Sequence, residues 1–174
     1  MLLGEFIVTD DSGLIGVVSP PKYAPFVEED WHLNQLLDHF LEANAKGSLL
    51  VWSAGSEGDW RVSVVLGATE TKGFREVVGY IESGERGLWL VSYGSLTMAA
   101  QFADEPIPQP HESHLNIPLA PGLYRCRIVQ LFDPTDISCE PALGTSAPHF
   151  LLEFTPHHGS ATPWHAIPWL AVQP

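Results

Sequence analysis

Apolar and polar positions alternate along most of this chain, and only one stretch keeps a helical spacing. Residues 2–9 and 14–18 read as two strands around the turn Asp10-Asp11-Ser12-Gly13. Ser19-Pro20-Pro21-Lys22 then breaks the pattern. Leu33, Leu36, Leu37, Phe40 and Leu41 recur at i, i+3, i+4, i+7 and i+8, which predicts an amphipathic helix at about 30–46. Glu28, Glu29 and Asp30 stand at its start, where anions favour the helix dipole and Asp30 is the cap candidate. Gly47 is placed to close it.

After that helix every segment reads as strand. Residues 49–54 and 60–66 flank Gly55-Ser56-Glu57-Gly58-Asp59 as a hairpin, and 74–82 and 88–93 follow around a second Gly-rich turn. Segment 88–93 is apolar on nearly every position, which suits a strand covered on both faces. A short apolar segment at 96–102 precedes a Pro-rich loop with Pro106, Pro108 and Pro110. In 123–132, Tyr124, Cys126, Ile128 and Phe132 alternate with Arg125 and Arg127 after a Pro121-Gly122 turn. Residues 149–155 form another strand, and 164–172 a last one, which Pro168 confines to an edge. The expected fold is therefore mainly β: an antiparallel β-sandwich, one domain over 1–174, with one amphipathic helix packed on it.

Composition sharpens this picture in one respect. Eight Lys+Arg oppose twenty-one Asp+Glu, a formal net charge of −13. Such a chain is repelled by phosphate backbones and anionic membranes, so nucleic-acid and membrane partners are disfavoured and a basic protein is favoured. The acids are unevenly spread: within 1–60 only Lys22 and Lys46 face ten of them. No basic leader or membrane-length apolar run opens the sequence, and two cysteines do not make a disulfide framework. A cytoplasmic protein with Cys126 as a buried thiol is expected.

Catalytic signatures are lacking. Tyr93-Gly94-Ser95-Leu96 is not a nucleophile elbow, no phosphate-cradling glycine motif occurs, and carboxylate pairs such as Asp104-Glu105 lie in solvated loops. An enzyme is not expected, and neither is a cofactor. Among the eight histidines, His111, His114, His157 and His158 are the metal candidates, yet their spacing matches no diagnostic ligand set.

Five tryptophans, Trp52, Trp60, Trp89, Trp164 and Trp169, fall on predicted strands and read as core or sheet-face residues. Trp31 falls with Gln35, Asp38 and Glu42 on a helical wheel, opposite the leucine stripe. It reads either as an anchor for a partner or as a staple folded back on Tyr23 and Phe26.

The run Ile117-Pro118-Leu119-Ala120-Pro121-Gly122-Leu123-Tyr124-Arg125-Cys126-Arg127, followed by His149-Phe150-Leu151-Leu152-Glu153-Phe154-Thr155-Pro156, carries a family resemblance. It resembles bacterial β-sandwich proteins of the competence protein J type, inhibitors of a DNA-uptake nuclease, and related immunity proteins. Phe150 stands where that family's later strand has tyrosine, and Phe154-Thr155 replaces its aromatic before proline. The motif is structural, so no inhibitory residue carries over. The resemblance implies a non-catalytic protein that sequesters a partner.

Sequence reasoning thus points to a protein that binds a basic nuclease or toxin through Glu28, Glu29, Asp30, Trp31, Asp38 and Glu42. The alternatives are a small-ligand or metal-binding sandwich using the loop histidines, and a homodimer formed through the tryptophan-rich sheet.

Overall fold

The computed structural model describes residues 1–25, 30–136 and 147–171. Among the described residues, nine strands make two sheets. The larger has the order β1 (Leu2–Asp10), β4 (Gly58–Leu66), β9 (Phe150–Pro156), β8 (Gly122–Gln130), β5 (Arg75–Ser83). The smaller has the order β3 (Leu49–Ser53), β2 (Leu14–Val18), β6 (Leu88–Ser92), β7 (Asn116–Ile117). Their inner faces meet in one apolar cluster, where Trp52 of β3 stands edge-on to Phe150 of β9 with centroids 6.0 Å apart. The approach is close enough that a Cβ on Gly79 of β5 would lie 2.6 Å from the Leu50 side chain on β3.

The expected β-rich fold with a packed helix is what forms. On β8, Tyr124, Cys126 and Ile128 point into the core and Arg125 and Arg127 point out, as the alternation required. The Tyr124 hydroxyl donates to the Ala120 carbonyl at 3.1 Å, tying the strand to the turn before it in a tyrosine corner. β6 is buried along its whole length, as expected, with the second helix and a 3-10 helix packed against it.

Several expectations need correction. Among the described residues every ladder is antiparallel except β4–β9, where Val62 runs parallel to Phe150. Residues 49–54 and 60–66 are not a hairpin, because β3 and β4 belong to different sheets. The turn at Pro121-Gly122 likewise carries the chain from β7 in one sheet to β8 in the other. Segment 96–102 lies mostly in a helix, α2 (Tyr93–Gln101), whose first turn is capped by Ser92 Oγ accepting from the Ser95 amide.

No strand forms within the described part of 164–172. That segment is instead a strap across the open side of the sandwich. The Trp164 amide donates to Asn44 Oδ1 and its indole to the Val78 carbonyl, both at 2.7 Å, while Pro168 accepts from the Ser53 amide. It therefore ties edge strand β5 to edge strand β3, and its prolines explain why it joins neither ladder fully.

The first helix, α1 (Leu33–Ala45), begins three residues later than expected. Its N-cap is His32, whose amide donates to Gln35 Oε1 at 2.7 Å, and not Asp30. Leu36, Phe40 and Ala43 are buried, but Leu33 overhangs the core in the first turn and is 53% exposed. Gly47 closes the helix with φ +68°, a conformation glycine adopts without strain.

One packed group makes stability depend on pH. His149 Nδ1 accepts from the Arg61 amide at 2.7 Å, and its ring packs edge-on against Trp60 and Phe132. Burial, helped by the Arg61 charge, holds its pKa below the ordinary 6.5. The unfolded chain then takes up the proton first as pH falls through 6.5, so stability is full above that value and declines below it. Urea midpoints across this range should fall with acidity in the wild type and fall less in His149→Gln, which keeps an acceptor but does not titrate.

Candidate functional site

The acidic surface named from the sequence is only partly assembled. Asp38 and Glu42 sit one turn apart and exposed on α1, opposite the face that buries Leu36 and Phe40. Asp30 is exposed as well, but it precedes the N-cap and so lies off that helical face. Trp31 also precedes the cap, is half-buried, and packs against the apolar core. Glu28 and Glu29 lie outside the described residues.

Little positive charge offsets this face. Lys22 is held by Glu82 with Nζ and Oε2 2.5 Å apart. His39, next to Asp38, is pushed below its ordinary pKa by burial against the opposing effect of Glu42, and stays uncharged near neutral pH. Lys46, just beyond the helix, is the nearest cation in the sequence. An exposed carboxylate pair on a rigid helix can steer and register a cationic surface.

The four candidate histidines fall on two separate segments. His111 and His114 are exposed on the 3-10 helix Pro110–Leu115. His157 lies beside Tyr80 with centroids 4.7 Å apart and its Nε2 is 3.2 Å from the Ser160 carbonyl; His158 is exposed. Among the described residues no three His, Cys, Asp or Glu side chains gather as metal ligands. Cys126 is fully buried, and burial drives its thiol pKa far up, so it is no nucleophile. Ser95 is buried in a capping network, in which Glu112 Oε1 accepts from both the amide and hydroxyl of Ser92 at 3.1 Å.

A second surface was not visible in the sequence. Four turns converge on a cleft of about 700 Å³: Pro20-Pro21-Lys22 after β2, the β5–β6 turn, Ile107-Pro108, and Pro121-Gly122 before β8. Its lining combines four prolines with the charged side chains of Lys22, Glu82, Glu85 and Arg86. Trp89 lines it while only 6% exposed, and the indole Nε1 is buried without a hydrogen-bond partner. The Arg86 guanidinium lies over the Trp89 ring, 5.5 Å from its centroid. Gly84 permits close approach of the β5–β6 turn to Pro21, since a Cβ there would lie 2.8 Å from Pro21 Cγ.

Only the three-dimensional crossing of turns brings these residues together, so no spacing rule announces them. The one local hint is an arginine three residues before a strand tryptophan. Of the predicted partner-binding residues, the described ones, Asp30, Trp31, Asp38 and Glu42, do not line the cleft.

No family model matches the chain, and no curated protein does. Two solved structures share the fold. One, described as crocagin biosynthetic gene J, is 16% identical with a TM-score of 0.57, over 88% of this chain and 96% of that one. The other is ComJ from Bacillus subtilis, an inhibitor of the DNA degrading activity of NucA; it is 13% identical with a TM-score of 0.52, over 90% of this chain and 98% of that one. At these identities the likeness establishes a shared architecture.

Proposed function

We propose that this protein is a non-catalytic binding protein that covers a basic partner of the nuclease or toxin kind with the acidic face of α1. The observation that carries the reading is the exposed pair Asp38 and Glu42 on a helix whose other face is locked into the core. The shared fold with ComJ suggests the class of partner, and the net charge of −13 suggests its sign. Asp30 and Trp31, which precede the helix, would add contacts beside that face in this reading, with the carboxylates of Asp38 and Glu42 steering the encounter; Glu28 and Glu29, outside the described residues, belong to the same proposed contact set.

The test is capture of partners from a lysate of the protein's own host, at low and at high salt, followed by a nuclease assay with and without added protein. The wild type should retain a basic nuclease or toxin at low salt, and a retained nuclease should be inhibited. Asp38→Lys with Glu42→Lys should slow association by about tenfold or more at low salt, with the gap closing as salt is raised. Equal association rates for wild type and variant at low salt would remove α1 as the docking face.

A further inference from the structure

We propose that the free edge of β1 pairs with the β1 edge of a second copy of this chain, joining the two larger sheets antiparallel across a two-fold axis. Among the described residues the other three sheet edges are protected. On β5 the Val78 carbonyl accepts from the Trp164 indole, and the Glu82 amide donates to the carbonyl of Gly47, the glycine that closes α1. On β3 the Ser53 amide donates to the Pro168 carbonyl, and β7 is only two residues long. β1 is the long edge left over. The Arg61 amide donates to His149 Nδ1 and its carbonyl accepts from the His149 amide, both on the β9 side of β4. Ile7, the register partner of Arg61, therefore turns both its backbone groups away from β4. By alternation Glu5 and Thr9 do the same, and among the described residues no strand or loop takes these groups.

The strand lacks the usual guards of an open edge. It carries no lysine, arginine or proline, and its one bulge lies at the start, between Leu2 and Gly4. Symmetry then selects the register. Centred on Ile7, two antiparallel copies set Ile7 against Ile7 and Glu5 against Thr9, with Phe6 opposite Val8. Ile7 is 48% exposed on a single copy, and this pairing covers it. Centring on Glu5 sets like charges directly opposite, and centring on Phe6 sets Glu5 against Ile7. The strand is its own complement in one register, which is why the occupant is a second copy. The net charge of −13 on each copy opposes approach, so the pair is weak and tightens as salt is raised. A contact between α1 and a basic partner has the opposite salt dependence.

Light scattering on the full chain should give an average mass that rises from 19.1 kDa toward twice that value as the concentration approaches about 1 mM, and rises further in high salt. Hydrogen exchange at the amides of Glu5, Ile7 and Thr9 should slow over the same range, a readout that needs no substitution. Ile7→Lys and Ile7→Glu each set like charges against each other on the two-fold axis at an exposed position, and each should weaken pairing about tenfold or more. An equal mixture of the two variants should restore it, because only a residue on the axis meets its own counterpart. The proposal is overturned if the wild type keeps the mass of one chain up to that concentration, or if it pairs while those three amides exchange as before. It is equally overturned if the variants pair as well as the wild type, or if their mixture pairs no better than either alone.

Discussion

Trp52→Ala is expected to lower folding stability by about 4 kcal/mol, a large share of what a domain of this size typically has. Trp52 is fully buried on β3 and meets Phe150 edge-on across the sandwich, so truncation opens a cavity where the two sheets touch. The surrounding residues cannot close it by local adjustment, because the neighbouring strands are fixed by their ladders. Trp52→Phe should behave differently. The indole N–H of Trp52 is buried without a partner, so phenylalanine removes an unmet donor while it leaves only a small void. These effects oppose each other, and the net loss should stay near 1 kcal/mol. Urea unfolding of the three proteins reads both; equal losses for alanine and phenylalanine would show that this contact does not hold the sheets together.

Arg127→Met should cost about 3 kcal/mol, chiefly through the residue it abandons. Arg127 Nη1 lies 2.9 Å from Glu153 Oε1, and the Glu153 side chain is only 3% exposed on the central strand β9. Without the guanidinium that carboxylate keeps its bonds from the amide and hydroxyl of Thr69 but loses its countercharge. The double substitution Arg127→Met with Glu153→Leu should recover most of the loss, since a matched apolar pair needs no countercharge. Glu76→Gln is the control. It breaks the other ion pair of Arg127, but Glu76 is 52% exposed, and such pairs contribute about 1 kcal/mol at most. A double variant no more stable than Arg127→Met would show that the guanidinium acts through its bond to the Thr71 carbonyl instead.

Features governed by local spacing were legible in the chain, and those governed by distant contacts were not. Leu36 and Phe40 on α1, and Tyr124, Cys126 and Ile128 on β8, follow from periodicity alone. The helical state of Leu96, Ala99 and Ala100 does not, because the cap at Ser92 is itself held by Glu112, twenty residues further on. Trp164 looks like a strand residue until Asn44, 120 residues away, takes its amide. Gly-rich turns such as 55–57 have the same composition whether the next strand stays in its sheet or crosses to the other, so sheet membership was hidden. The exposure of Asp38 and Glu42 was legible from the helix period. The cleft at Trp89 was not, since its walls come from four separate turns.

The crossing of the chain between sheets at β1–β2, β3–β4, β5–β6 and β7–β8 also sets how the protein must be made. The strands of the smaller sheet all precede β8, but the larger sheet cannot close early, because β9, last in sequence, is its middle strand. A nascent chain leaving the ribosome therefore holds β4 and β8 with a gap between them until residues 150–156 emerge. Closure then pairs Val62 with Phe150 across a long intervening segment, the kind of non-local step that makes folding slow and leaves strand edges open meanwhile. Half-length fragments should aggregate instead of folding, and splitting the chain into independently stable pieces should fail at every turn.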